Sequence, residues 1–157
     1  MLRHFINLFG LLVFGALLAV LVMYLATDFF GSPFLQTRVS PSDWQLWADS
    51  FISWARVAII TSWLAGCVWY ALAQWVFRVE QPERADKRIT WVLIAAVVFV
   101  VCVVGAYLTA LTSQGGWEWV ASFFLLVFAL GYWCATGLFS PSSHKYTPFL
   151  ATTIRHW

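Results

Sequence analysis

The sequence predicts an all-α, polytopic membrane protein of four transmembrane helices, and three observations predict it. Of 157 residues, 62% are hydrophobic and only 10% charged, with a mean hydropathy of +0.79, whereas ordinary soluble domains carry about 25% charged residues. A water-soluble fold of this size would lack a surface. Four apolar runs, over about residues 8–26, 57–77, 89–111 and 117–139, are each long enough to cross a hydrocarbon core of about 30 Å as a helix. The only Asp, Glu, Lys, Arg or His within them is Glu118, one residue inside the last run. Basic residues also sort to one side. Arg3, then Arg78, Arg84, Lys87 and Arg88, then Lys145 and Arg155 fall on the side of the two termini, against Arg38 and Arg56 on the other. By the positive-inside bias this predicts both ends in the cytoplasm. Four spans with short connections leave room for a single transmembrane domain over 1–157 and no separate soluble one.

The first run follows Arg3 and His4 as a secretory signal would, but it is longer than an apolar signal core of about 7–15 residues. It is read as a retained span that exits through Ala26-Thr27-Asp28. Gly15, Ala19 and Ala26 share one helical face with Val22, a seam of small residues that lets another helix approach.

The outer loop, 28–56, turns at Gly31-Ser32-Pro33. Ser40 and Pro41 then read as the cap and first position of a short helix. Trp44, Trp47, Phe51 and Trp54 recur at spacings of three, four and three, which puts four rings on one face. The expectation is a short interfacial helix whose rings either form an aromatic belt continuing the second span outward or present a docking face to a partner.

In the second span Ala58, Ser62 and Ala65 line one side, and Pro82 ends the helix in the inner loop 78–88. That loop reads as a solvated hairpin, because Glu80, Glu83 and Asp86 nearly cancel its basic charge and leave little pull on anionic lipid. The third span carries Ala95, Cys102, Gly105, Thr109 and Thr112 on one side. The fourth carries Gly131 and Ala135 four apart, with Ser122, Ala129 and Thr136 on a second stripe. The cytoplasmic tail, 140–157, is polar through Pro148. Apolar side chains then return at Phe149, Leu150, Ile154 and Trp157, which with Tyr146 suit either the inner membrane surface or a docking partner.

Chemistry has little to build on. An ion-coupled carrier needs a titratable group at mid-membrane, and no run supplies one. Glu118 serves the start of its helix, where a carboxylate is favoured. A membrane haem needs His within the spans, while His4, His144 and His156 all fall in the tails. Cys67, Cys102 and Cys134 lack the spacing of a metal site or redox pair and read as small apolar packing groups. No catalytic residue, cofactor or metal is expected, and a net charge of +2 offers nucleic acid no patch.

The expectation is a non-catalytic inner-membrane subunit of a multiprotein envelope complex for secretion, conjugation, export or defence. Its partners are membrane lipids and other membrane subunits or copies of itself. Two rival readings stand beside it. One is a small homo-oligomeric channel or transporter whose path is lined by the hydroxyls of the third and fourth spans. The other is an immunity protein against a membrane-targeting toxin, contacted through the outer tryptophans.

Overall fold

A computed structural model describes residues 2–30, 44–76, 84–112 and 116–139. The described chain forms four long helices. Helix α1 covers Leu2–Phe30 and α2 Trp44–Val76, with α2's last turn, Leu72–Val76, widened to π geometry. Helix α3 covers Arg84–Ala110, and α4 covers Trp117–Phe139, with a second π turn at Ala129–Cys134. Lipid offers the backbone no hydrogen bonds, so apolar runs of this length satisfy their own amides by helix formation. Helix α2, α4 and the Arg88–Ala110 part of α3 are long and apolar enough to cross a membrane, and α1 contributes a shorter described apolar stretch, Ile6–Val20.

Helices α2 and α4 form the central pair; α1 packs along one side of it and α3 along the other. Small residues set the distances. At Gly131 an added Cβ would sit 3.0 Å from Ser62 Cβ, so α2 and α4 nearly touch backbone to backbone. A Cβ on Gly105 would sit 2.8 Å from the Phe124 ring, which locks α3 over α4. Between α1 and α2, the Trp63 indole lies against the bare backbone of Gly15, where a Cβ would come within 2.6 Å of its Nε1. Gly15→Ala is therefore expected to push Trp63 aside and loosen α1 at a cost of about 1–3 kcal/mol. Reversible unfolding in mixed SDS micelles would read that loss, and unchanged stability would refute the contact.

Among the described small residues of the expected seams, Ser122 is exposed, while others face neighbours. Ser62, Cys102, Thr109 and Ala135 are buried, and Ala19 and Ala65 pack on the edge of the main core. Cys67, Cys102 and Cys134 are free thiols.

Helix α1, Leu2–Phe30, runs past both bounds expected for the first span, and three further boundaries of α2 and α3 differ from those expected. No break separates a short outer helix from the second span: residues 44–56, assigned to the outer loop, are the first turns of one continuous α2. Between Trp44 and Ala65 the sequence holds neither Gly nor Pro, so nothing ends the helix once it starts. Ser40 and Pro41 lie outside the described residues. At the inner side α3 begins at Arg84, inside the loop expected over 78–88. Its third boundary, at the outer side, comes at Ala110, where a turn through Leu111 and Thr112 follows. The left-handed Gly116 (φ 74°) then opens α4.

Candidate functional site

Three places gather side chains that do more than fill space. The first is an aromatic layer toward the end of the bundle where α2 and α4 begin. Trp44 stacks on Trp47 (5.2 Å between centroids) and Trp47 on Phe51 (5.6 Å). Phe51 meets Phe123 at 4.8 Å and Phe124 at 5.7 Å in tilted and edge-on pairs, the geometries that ring quadrupoles favour. The ring row expected from the spacing is therefore present, but it points into the bundle: Trp47 is 1% exposed and Phe51 4%. Trp44 and Trp54 are half-buried at its margin.

The second is a polar knot that ties α3 to α4 toward the opposite end. Trp91 Nε1–H donates to Thr136 Oγ1 (3.1 Å), and that hydroxyl donates onward to the Trp133 carbonyl (3.2 Å). Tyr132 Oη–H donates back to the Trp91 carbonyl (3.0 Å), and the two rings stack at 5.6 Å. The π turn makes this possible, because its extra residue keeps Gly131, Tyr132, Ala135 and Thr136 all on the buried side. No sequence signal marked Trp91 or Tyr132. Both read as scattered aromatics, since a bond across 41 or 45 residues leaves no local pattern.

The remaining intramembrane hydroxyls are spent on their own helices. Ser62 donates to the Ala58 carbonyl (2.7 Å), Thr109 to Gly105 (2.8 Å) and Thr112 to Thr109 (2.8 Å). Beside the knot, Leu11, Gly66, Trp69, Tyr70, Ala135, Thr136 and Phe139 line a crevice with no room for a water molecule. Trp63 Nε1–H is buried without a hydrogen bond among the described residues. No group of three metal-ligating side chains occurs among them either.

The third is the perimeter. Ile6, Phe9, Leu17, Val20 and Tyr24 of α1, Ile60, Leu64 and Val68 of α2, and Val92, Leu93 and Val97 of α3 all face outward. Glu118 stands exposed in the first turn of α4. The tail candidates Tyr146, Phe149, Ile154 and Trp157 lie outside the described residues.

An apolar outer face around a buried polar knot, on helices of this length, defines a multi-pass membrane protein. No family model, curated protein or solved structure matches the chain.

Proposed function

We propose that the protein is a non-catalytic subunit of a larger assembly in the inner (cytoplasmic) membrane, with both termini in the cytoplasm. The observation that carries this reading is the fate of the polar groups in the spans. The hydroxyls of Ser62, Thr109, Thr112 and Thr136 bond backbone inside the bundle, which supports their role as internal fasteners. What the molecule has left to offer is its outer surface. Subunits of membrane assemblies work through such faces, by packing on other spans and on lipid.

The channel reading draws less support. The hydroxyl stripes it would use belong to Thr109 and Thr136, which are 0% and 2% exposed and turn away from any contact between copies. The toxin-immunity reading loses Trp47 of its three outer tryptophans, since that ring is inside, while Trp44 and Trp54 are half-buried. The orientation rests on seven basic residues on the side of the termini against two on the other.

Purification from native membranes in mild detergent tests the proposal. The 17.9 kDa chain is expected to migrate in a larger particle of fixed composition containing other membrane-spanning chains. A chain that runs alone as a monomer, with no co-purifying partner, would refute it.

A further inference from the structure

The continuous α2 carries a charged side chain to a depth that the apolar runs alone do not indicate. Three independent contacts fix the level of Arg56. Ser62 abuts Gly131, and six residues earlier Arg56 lies about 9 Å further out, level with Leu125; Trp117, where α4 starts, is about 12 Å beyond. Trp54 Cβ lies 3.4 Å from the Cβ position of Gly105, which sets Arg56 about 10 Å inward of the end of α3 at Ala110. Trp63 against Gly15 sets it level with Val22, about 12 Å short of the end of α1 at Phe30. All three neighbours continue as helix well past this cation. By these levels the part of α2 that runs beside the apolar stretches of its three neighbours includes Arg56.

Arg56 points outward from the bundle and has no ion pair among the described residues. It sits at the foot of an exposed polar stripe, Gln45, Asp49, Ser53 and Arg56, at helical spacings of four, four and three. Below it the same face continues as Ile60, Leu64 and Val68. An exposed guanidinium at this depth calls for a counter-charge.

From this geometry we infer that the stripe is the docking face for a membrane-spanning helix of a different protein, which brings an Asp or Glu to the depth of Arg56. This rests on the subunit reading above and names the partner's chemistry. A second copy does not fit. Related by a two-fold axis along the membrane normal, it would set Arg56 against Arg56 and Asp49 against Asp49. In any other arrangement the carboxylates of its described helices fall at other levels. Along the described helices Asp28, Asp49 and Glu118 all lie about 9–10 Å further out. A lipid phosphate would have to reach down past Asp49, whose charge repels it. A carboxylate arriving sideways on a neighbouring helix meets Arg56 directly. A hydrogen-bond donor about two turns closer to the partner's outer end would then face Asp49.

The test uses the full chain in the membranes of the cell that makes it, with a photoreactive phenylalanine analogue at Ser53. Adducts are expected on a membrane-spanning helix of another protein, within a turn of an Asp or Glu. Arg56→Leu, which removes charge from lipid and so does not hinder insertion, should lower the adduct yield at least tenfold. Arg56→Lys should restore most of it. Exchanging the charges, Arg56→Asp with the partner's acid changed to Arg, should rescue a pair that either change alone breaks. Adducts with lipid only, adducts with a second copy, or a yield unaffected by Arg56→Leu would each overturn the inference. If the larger particle survives Arg56→Leu at full yield, the docking face is wrong and the subunit reading stands. A wild-type chain that is a lone monomer removes the subunit reading itself.

Discussion

Replacing Trp91 with Ala is expected to destabilise the bundle by about 2–4 kcal/mol, the largest loss from any single truncation described here. In water a buried Trp→Ala change costs about 3–5 kcal/mol, part of it transfer free energy. Lipid is as apolar as the site, so that part falls away and the unfilled cavity remains. To the cavity is added the broken bond to Thr136, worth about 0.6 kcal/mol by the average for membrane helices. Trp91→Phe separates the two contributions. It keeps a ring on Tyr132 and removes only the donor, so its cost should stay below about 1 kcal/mol. Equilibrium unfolding in mixed SDS micelles would measure both. Equal effects of the two changes, or no effect of either, would show that the α3–α4 knot is not a principal tie.

Phe51→Ala is expected to cost about 2–3 kcal/mol, because the ring it removes is held between Trp47, Phe123 and Phe124 deep in the outer layer. Trp54→Ala, at the half-buried margin, should cost under about 1 kcal/mol on the same scale. The contrast has a direct bearing on the ring row of α2. Rings that fasten the bundle lose stability when cut and leave assembly untouched in proportion. A Phe51→Ala protein of normal stability that no longer joined its particle would return the row to the role of a partner face.

The positions of the helices were legible because lipid imposes a hard rule: a span needs about 20 apolar residues, and the runs at 89–111 and 117–139 lie on helices long and apolar enough to meet it, while the first run holds the shorter described stretch Ile6–Val20. The second run lies on a helix that starts well before its apolar stretch. Residues 44–56 include Gln45, Asp49, Ser50, Ser53 and Arg56, which dilute the hydropathy that marks a span, although their helical periodicity is continuous. Only contacts such as Ser62 with Gly131 reveal how far α2 has slid along its neighbours. The row Trp44, Trp47, Phe51 and Trp54 shows a similar division. Spacing places the rings on one face, and nothing in spacing says whether that face looks in or out. Small residues at Gly15, Gly105 and Gly131 were readable as close-approach points. The aromatic partners that fill them, Trp63 and Phe124, lie on other helices and leave no trace in the local pattern.

Toward the end of the bundle that holds Trp91, two of the four rods carry a widened turn, Leu72–Val76 in α2 and Ala129–Cys134 in α4. Each inserts one residue without adding a turn, so the pattern of the helix is advanced by about 100° on one side of the insertion relative to the other. In α4 this phase step brings Tyr132 and Thr136 back onto the face that carries Val120, Phe124 and Val127, so that Phe124 meets Gly105 and Tyr132 and Thr136 meet Trp91 on the same neighbour, α3. A perfectly regular rod through the same amino acids could serve one of those appointments and would miss the other.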